Sequence, residues 1–293
     1  MKLVIGPSSH GLGKSISKLL SLDIVNLEWK IFPDGESYFR FLSKVDDDII
    51  LVHSLSPPQD KRILELFFLL KGLRSYGAND VILVLPYIAY MRQDKKFLEG
   101  EIISIEVLGE LLSFYGVNKY VFVDVHSEEV LKFFKGRVIE VSAFPLFRNI
   151  LLMYNLTNPF VLAPDAKALK YAEVVAHGIN AEYDYVVKKR DRSTGEVESY
   201  IKDLNVSGRD VILVDDIIST GGTIINATRI LKKYGVNRIF ACCTHGVFVG
   251  NAITNMYNAG VYEIISTDTI ESYYSRVSVA PVIVSAIKSL VEG

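Results

Sequence analysis

The sequence predicts an α/β fold of two related domains, each a mainly parallel β-sheet flanked by helices. Short β-rich runs alternate with helical patterns along the whole chain of 293 residues. Three helix-to-strand joints share one form, in which glycine follows the last helical turn: "YGAND" at 76, "YGVNK" at 115 and "YGVNR" at 234. In addition, "VILV" occurs at 81 and at 211, and a helix, a joint and another strand follow each copy.

The first domain begins with a strand and a helical pattern, and further strands alternate with helices that end near 76 and 115. The predicted strands of this part lie at 3–5, 49–52, 81–85 and 120–123. From "VILV" to the next joint the chain runs 34 residues here but 23 in the later copy, so the first copy carries an insertion of 11 residues. This insertion falls around "PYIAYMRQDKKFLEGE".

The loop after the first strand, "GPSSHGLGKS" at 6–15, is similar at first sight to a Walker-A phosphate loop. That motif requires a glycine five residues before its Gly-Lys pair, because consecutive N–H groups must curl around the phosphates of one nucleotide. Ser8 stands at that position, and Gly6 is two residues too far away. The spacing therefore favours an ordinary βα loop that caps a helix.

The second domain is expected at 144–278, since glycine and proline punctuation near Pro145 marks the best boundary. The first domain then spans 1–143 and is completed by a C-terminal helix at 279–293. Chance similarity between α/β units is the alternative to a true internal repeat. Either way, a chain of this length can bury two hydrophobic cores.

Composition limits the classes of partner. The net charge is −2, from 32 basic and 34 acidic residues, so there is no overall basic field to attract nucleic acid. Cys242 and Cys243 are neighbours in an apolar run, which indicates two buried thiols rather than a disulfide or a metal site. The chain shows neither a secretory signal nor a span of about 18 apolar residues. We therefore expect a soluble cytoplasmic protein that binds neither nucleic acid nor membranes.

The stretch "VILVDDIISTGGT" at 211–223 carries the clearest chemical signal. A buried strand at 211–214 is followed by Asp215 and Asp216, at the edge where open α/β sheets bind ligands. A hydroxyl-rich, glycine-containing turn then begins a helix at 222–234, which suits one phosphate. The carboxylates would repel that phosphate, so they suit a neighbouring diol or a metal ion. The combination predicts a sugar-phosphate site; the alternative is a capped helix with a solvated acidic turn.

This stretch resembles the phosphoribosyl-diphosphate loop of type I phosphoribosyltransferases and of ribose-phosphate diphosphokinases. The second family resembles nearly the whole chain, in an archaeal-like form, through "FPDGE" at 32, "YMRQDK" at 90, "DVH" at 124, "APD" at 163, "KKR" at 188, "THGVF" at 244 and "SVAP" at 278. The resemblance implies two phosphoribosyltransferase-type domains. It also implies transfer of the diphosphate of ATP to the anomeric hydroxyl of ribose 5-phosphate, which gives phosphoribosyl diphosphate and AMP.

The resemblance also assigns roles on the sugar side. The two aspartates hold the ribose hydroxyls, and the turn holds the 5-phosphate through Ser219, Thr220, Gly221, Gly222 and Thr223. Lys188 and Arg190 are the expected catalytic residues, in a cationic cluster with Lys189 and Arg192. Such a cluster on a mobile loop could close over the diphosphate as its charge develops, whereas a solvated charged hairpin is the simpler interpretation of the residues alone.

On the ATP side, "FPDGE" supplies an adenine pocket, with Phe32 stacking on the base and Asp34 and Glu36 forming hydrogen bonds. The remaining nucleotide contacts implied by the resemblance are Arg92, Gln93, Asp94 and His126. In the family the adenine pocket reaches ATP from a neighbouring subunit, so a homo-oligomer of at least two chains is expected. Without the resemblance, the residues of "FPDGE" would be interpreted as an ordinary turn and those of "YMRQDK" as a surface loop.

Magnesium is the cofactor implied by the resemblance, with His126 and Asp165 as its expected ligands. Mg²⁺ keeps several waters and bridges phosphate oxygens rather than filling a protein cage. The chain departs from the family pattern in "APDAKAL", which lacks the glycine that closely follows this aspartate. His245 is expected to shape the core.

Two alternative functions belong to different classes. A salvage phosphoribosyltransferase would share the sugar loop, but "YMRQDK" and "FPDGE" count against it because it needs no ATP. A non-catalytic, diphosphokinase-like regulatory subunit would have lost catalytic groups, yet Lys188, Arg190 and His126 are present.

Overall fold

A computed structural model describes residues 1–190, 197–200 and 205–292, and only the backbone of 187–190 and 197–200. The chain divides into two compact units. The first comprises Met1–Ser142, Asp268–Glu271 and Ser278–Gly293, and the second comprises Ala143–Thr267 and Ser272–Val277.

The first unit is built on a parallel sheet with the strand order β1-β4-β5-β6-β7. An antiparallel hairpin of β2 and β3 is separate from this sheet. The strands are β1 (Lys2–Ile5), β2 (Leu27–Ile31), β3 (Ser37–Phe41), β4 (Ile49–Val52), β5 (Val81–Leu85), β6 (Lys119–Val123) and β7 (Arg137–Val141). The helices before residue 143 are α1 (His10–Leu20), α2 (Gln59–Ser75) and α3 (Ser104–Phe114), with a short 3₁₀ helix at Glu128–Phe133.

The second unit contains a parallel sheet with the order β15-β14-β13-β12-β8-β9 and an antiparallel pair, β10 and β11. Its strands are β8 (Phe160–Ala163), β9 (Glu182–Tyr185), β10 (Val187–Arg190), β11 (Val197–Tyr200), β12 (Val211–Ile218), β13 (Ile239–Gly246), β14 (Glu263–Thr267) and β15 (Ser275–Val277). A 3₁₀ turn at Phe144–Leu146 leads into α4 (Phe147–Leu152), and α5 (Leu169–Ile179), α6 (Gly222–Lys233) and α7 (Ala252–Ala259) follow.

The central strands are largely apolar and buried because helices cover parallel sheets on both faces. Every residue of β4 and β5 is buried, and so is every residue of β13. The last helix, α8 (Ala280–Glu292), packs on α1, β6 and β7 of the first unit. The guanidinium of Arg137 in β7 donates hydrogen bonds to the carbonyls of Ser289 and Leu290, near the end of α8.

These observations confirm the predicted fold class and its joints. Gly77, Gly116 and Gly235 follow α2, α3 and α6 with φ of +92°, +73° and +70°. Glycine adopts this left-handed conformation without a Cβ penalty. The predicted insertion forms the segment between β5 and α3, which contains neither helix nor strand.

The unit boundaries differ from the sequence-based division by one residue at Ala143 and at Ser278, and at one short segment. Asp268–Glu271 was expected in the second domain but belongs to the first unit. Hydrogen bonds explain this placement: Thr269 O accepts from Ser54 Oγ at 2.6 Å, and Glu271 Oε1 accepts from Leu12 N at 2.8 Å. Such contacts between distant segments leave no local trace in the sequence.

No helix within the described residues is both long enough and apolar enough to cross a membrane.

Candidate active site

Two adjacent carboxylates lie near the carboxyl end of β12, in the interior of the second sheet. The strand was expected to end at 214 but continues to Ile218, because the neighbouring β13 also continues and pairs His245 with Ile217. Asp215 Oδ1 accepts from the N–H of Asp216 at 3.0 Å, and Asp216 Oδ1 accepts from the N–H of Ile217 at 2.9 Å. Both carboxylates are thus held by backbone donors of the same strand.

Electrostatics distinguish Asp215 from an ordinary surface carboxylate. Burial, together with the like charges of the nearby Asp216 and Asp165, raises the pKa of Asp215 to about 8. At neutral pH the unliganded group therefore carries a proton. A ligand that brings a positive charge, or hydroxyl donors, would favour its ionised form.

Asp165 follows β8, which is the neighbour of β12 in the sheet. Parallel strands end at the same edge, so the chain topology brings this residue close to Asp215. Asp165 Oδ1 accepts hydrogen bonds from Lys167 N at 3.0 Å and Ala168 N at 3.2 Å, and it thereby shapes the turn into α5. This local role explains an aspartate here, and it leaves the predicted role in metal binding as a proposal.

The turn at 219–223 connects β12 to α6 as the sequence predicts. Gly221 lies just before the helix with φ of +76°, and α6 begins at Gly222. Gly221 has no side chain with which to cap the helix, so an anion could occupy the place of a capping group at its positive end. Ser219 O accepts from Val249 N at 3.0 Å, which fixes the first part of the turn.

In the first unit, "FPDGE" forms the turn of the β2–β3 hairpin. Phe32 N donates to Glu36 O at 2.8 Å, Gly35 N donates to Phe32 O at 2.9 Å, and Gly35 has φ of +97°. Asp34 Oδ1 accepts from Glu36 N at 3.1 Å. Glycine and aspartate therefore serve the turn geometry, while the side chains of Asp34 and Glu36 remain exposed.

A cavity of about 620 Å³ lies between this hairpin and α2. It contains two of the three residues predicted to bind adenine, Asp34 and Glu36. The full lining consists of Asp34, Gly35, Glu36, Ser37, Asp60, Lys61, Leu64, Glu65 and Phe68. Phe32 is not part of this lining: its ring is 40% exposed and packs edge-on against Tyr38, with ring centroids 5.7 Å apart.

The predicted triphosphate loop begins at Tyr90, which has φ of +64°. This conformation is unusual for a bulky residue, and the hydroxyl of Tyr90 donates a hydrogen bond to Asp60 in the first turn of α2. That bond raises the pKa of Tyr90. Arg92 is exposed, whereas Gln93 and Asp94 are half-buried. The loop is thus anchored beside the cavity through Asp60.

His126 lies three residues after the end of β6. Its backbone N–H lies 3.4 Å from the sulfur of Met91, so the His126 segment contacts the loop that carries Arg92. Asp124, between β6 and His126, is buried and has φ of +38°. The first unit therefore assembles three predicted ATP-side segments: the hairpin turn, the 90–95 loop and the segment at 124–126.

Comparison with known proteins identifies the family. A family model described as the N-terminal domain of ribose phosphate pyrophosphokinase matches residues 1–116, and a phosphoribosyl transferase domain model matches residues 138–274. The chain is 40% identical to a ribose-phosphate pyrophosphokinase of Sulfolobus acidocaldarius over 96% of this chain and 97% of that protein. The corresponding protein of Methanothermobacter thermautotrophicus is 39% identical, over 98% and 100%.

The chain belongs to the ribose-phosphate pyrophosphokinase family. A crystal structure of phosphoribosylpyrophosphate synthetase from Mycobacterium smegmatis is also similar, with a TM-score of 0.86, 26% identity, and coverage of 99% of this chain and 98% of that one. The resemblance stated from the motifs is therefore confirmed at the level of family and fold.

The residues expected to be catalytic in this pyrophosphokinase family, Lys188 and Arg190, lie on β10. Their backbones pair with Ser199 and Val197 of β11, so they are on an antiparallel ribbon rather than on the loop that we expected. The side chains of both residues, and all of Arg192, lie outside the described part of the structure. Their catalytic role stays a prediction.

Sequence reasoning missed the residues of α2 that hold the segments predicted to bind ATP. Asp60 accepts a hydrogen bond from the hydroxyl of Tyr90, and Glu65 accepts one from the hydroxyl of Ser37. The only available signal was a glutamate in an otherwise apolar helical stretch, "ILELFFLL", and that pattern does not reveal the partner of the carboxylate.

His245 and both cysteines are completely buried, as expected for core residues. The two thiols are free, and burial raises the pKa of each far above its ordinary value. Such thiols are inert, which agrees with a structural role.

Proposed function

We propose that the chain transfers the diphosphate group of ATP to the anomeric hydroxyl of ribose 5-phosphate. The anomeric oxygen bonds to the β-phosphorus, the bond from that phosphorus to the oxygen of the α-phosphate breaks, and AMP leaves while the hydroxyl proton is released. The observation that carries this proposal is the identity of about 40% with ribose-phosphate pyrophosphokinases, because it extends over 96% of the chain and so includes both units.

Ribose 5-phosphate is assigned to the edge of the second sheet. Asp215 and Asp216 would accept hydrogen bonds from the ribose hydroxyls, and the 5-phosphate would bind at the N-terminus of α6 through Ser219, Thr220, Gly221, Gly222 and Thr223. This orientation keeps the phosphate away from the carboxylates. Hydroxyl donors would favour the ionised form of Asp215, whose pKa is raised in the free protein.

ATP is assigned to the first units of two neighbouring subunits, with the adenine pocket on the hairpin of one subunit and the triphosphate contacts on the other. The lining of the cavity includes four carboxylates and one lysine, and this negative charge disfavours phosphates there. We therefore assign the cavity to the adenine base, with Asp34 and Glu36 as hydrogen-bond acceptors and Phe32 stacking on the base from the hairpin. Arg92, Gln93, Asp94 and His126 are assigned to the triphosphate region. Arg92 is exposed and offers a forked donor to phosphate oxygens.

Mg²⁺ is the proposed cofactor, with His126 and Asp165 as protein ligands. Within the described residues no group of three or more His, Cys, Asp or Glu side chains could enclose a metal ion. This agrees with a cation that takes few protein ligands and otherwise binds water and phosphate oxygens. When bound, Mg²⁺ neutralises phosphate charge during transfer.

The decisive experiment combines the purified chain with ATP, Mg²⁺ and ribose 5-phosphate, and follows products by ³¹P NMR. We expect AMP and phosphoribosyl diphosphate to form in equal amounts. Binding of ribose 5-phosphate without any product would instead favour the regulatory subunit. In a second reaction supplied with phosphoribosyl diphosphate and a free base, consumption of both would favour a salvage transferase.

Lys188→Ala is expected to reduce kcat by at least about 100-fold, a typical cost for losing one group that stabilises the transition state. Ribose 5-phosphate affinity should stay within about two-fold, because a transition-state contact contributes little to ground-state binding. Stopped assays and calorimetry measure the two quantities. Lys233→Ala, which removes an exposed lysine from the last turn of α6, is the matched control and should behave as wild type. Loss of binding together with turnover would contradict this role.

The same proposal includes a homo-oligomer of at least two chains in which the hairpin of one subunit reaches the ATP of another. Exposed apolar side chains in the first unit support it, including Phe114 at 83%, Leu98 at 72% and Ile102 at 69%. Light scattering during gel filtration measures the assembly, and a monomer at working concentration would contradict it. A cytoplasmic location is also proposed, since free cysteines suit a reducing compartment.

A further inference from the structure

Strand β3 lies beside α2. Alternate residues of the strand contact this segment: Ser37 contacts Glu65 and Phe39 contacts Phe68 within the helix, and Phe41 contacts Tyr76, the residue that follows the helix. The two aromatic pairs are edge-on, with ring centroids 6.4 and 6.1 Å apart. The polar pair is at the end of the series nearest the hairpin turn.

Glu65 is a buried carboxylate, only 1% exposed. Its Oε1 accepts from Ser37 Oγ at 2.8 Å, and its Oε2 accepts from Arg62 Nη1 at 2.6 Å. Both carboxylate oxygens therefore already have donors within the protein. Glu65 lines the cavity, yet its contacts suit it to holding the hairpin rather than to binding a ligand.

Ser37 immediately follows the turn that carries Asp34 and Glu36. Ring packing depends less sharply on distance and angle than a hydrogen bond does, so the contacts of Phe39 and Phe41 would permit small shifts of the strand along the helix. A hydroxyl-to-carboxylate hydrogen bond requires one distance and one angle, and it is stronger than a bond between neutral groups. The Ser37–Glu65 bond is therefore the contact that fixes where the turn lies. An exposed bond of 3.2 Å from Lys61 Nζ to Gly35 O adds to it.

We propose that Ser37 and Glu65 form a positioning pair that sets the affinity for the nucleotide by fixing the hairpin turn. Arg62 orients the carboxylate, Glu65 holds the hydroxyl of Ser37, and the backbone of Ser37 places Glu36 and Asp34. The inference rests on the proposed assignment of ATP to this hairpin, and it concerns residues that act through others, without contact with ATP.

Ser37→Ala tests the pair with little risk to folding, because Ser37 is only half-buried and alanine adds no atom. We expect the KM and Kd for ATP to rise about ten-fold, the usual scale for a lost hydrogen bond to a charged group. The kcat and the KM for ribose 5-phosphate should stay within about two-fold of wild type. Ser37→Thr keeps the hydroxyl on a strand residue and should restore the affinity for ATP.

Ser43→Ala is the matched control at the opposite end of the hairpin. Its Oγ accepts from Asn26 N at 2.8 Å, so the variant also loses one hydroxyl hydrogen bond, but far along the hairpin from the turn. It should leave the KM for ATP unchanged. Glu65→Gln keeps the shape of the side chain and removes its charge. It should lower the affinity for ATP, as Ser37→Ala does.

An unchanged Kd for ATP in Ser37→Ala would overturn the inference, and so would an equal loss in Ser43→Ala. Failure of the proposed function gives a different result. If the proposed function fails, the wild-type chain makes no phosphoribosyl diphosphate. The role of Ser37 and Glu65 is tested separately, by measuring ATP binding directly in the wild type and the variants.

Discussion

At the residue scale, the side chain of His53 explains why residue 6, the first of "GPSSHGLGKS", is a glycine. The imidazole is fully buried, and burial lowers its pKa to about 4. Its Nδ1 lies 3.3 Å from Ser8 Oγ, and its Nε2 lies 2.8 Å from Arg62 O. A Cβ on Gly6 would lie 2.1 Å from Nδ1. Gly6 is therefore required by the close approach of the His53 ring, and "GPSSHGLGKS" needs no phosphate to explain it.

Asp215 predicts a pH dependence of ribose 5-phosphate binding. Because burial raises its pKa to about 8, the free protein holds a proton there at pH 7 and loses it as the pH rises. Hydroxyl donors favour the ionised form, so binding at pH 7 should release up to about one proton, and affinity should increase from pH 7 to pH 9 by as much as about ten-fold. Calorimetry in buffers of different ionisation enthalpy counts the protons.

Asp215→Asn is the variant that checks this assignment, because asparagine does not titrate. We expect this variant to bind ribose 5-phosphate without releasing a proton. Its affinity for ribose 5-phosphate should change little as the pH rises above 7. If the variant released as many protons as wild type, another group would be responsible.

At the element scale, the β12–α6 connection depends on one backbone conformation. Two residues, Ser219 and Thr220, follow the strand before Gly221 adopts φ of +76° and the chain enters α6. A β-carbon at Gly221 would lie 3.1 Å from Met256 Cγ, whereas one at Gly222 would meet only Thr220 Oγ1 at 3.7 Å. The two neighbouring glycines thus serve different purposes.

Gly221→Ala should destabilise the second unit by about 1–2 kcal/mol, which is the cost of a left-handed alanine. It should also weaken ribose 5-phosphate binding, because the start of α6 must shift. Gly222→Ala is the matched control and should keep wild-type stability. Chemical denaturation and calorimetry measure both effects, and equal stability of the two variants would show that the turn tolerates a side chain at Gly221.

At the scale of the whole molecule, the chain returns at its end to the unit in which it began. Helix α8 packs on α1, β6 and β7, and it buries Ile283, Ile287 and Leu290 almost completely. Asp268 strengthens this return, because its Oδ1 accepts from Val279 N at 2.8 Å at the approach to the helix. The first unit is therefore incomplete without the last residues of the sequence.

Removal of 279–293 should destabilise the first unit by about 5 kcal/mol or more, since each of three large apolar side chains contributes about 1.5–3 kcal/mol on burial. That loss is comparable to the total stability of an ordinary domain. The single tryptophan, Trp29 in β2, reports the first unit by fluorescence during urea unfolding. Ribose 5-phosphate binding to the second unit serves as the control and should remain. An unchanged Trp29 transition would refute the dependence on α8.

Much of the fold and part of the site could be predicted from local patterns. Apolar runs predicted many of the strands, and glycine after α2, α3 and α6 predicted three joints, because both signals arise within a few residues. The motif at 211–223 indicated its chemistry for the same reason. The end of β12 was missed because its length depends on pairing with β13. At β10 the sequence left a mobile loop and a charged hairpin as alternatives, because a charged sequence fits both, and only strand pairing distinguishes them.

The sequence by itself determined the fold class, the alternation of strands and helices along the chain, and the family. Motifs and apolar periodicity involve residues that are close together in the chain, so they can be recognised without the folded structure. Only the tertiary structure decided that Asp268–Glu271 joins the first unit, that Asp215 is half-buried within reach of the charge of Asp165, and that Glu65 holds Ser37. These are contacts between segments far apart in the chain. Their energies depend on distance, burial and neighbouring charge, which exist only after the chain has folded.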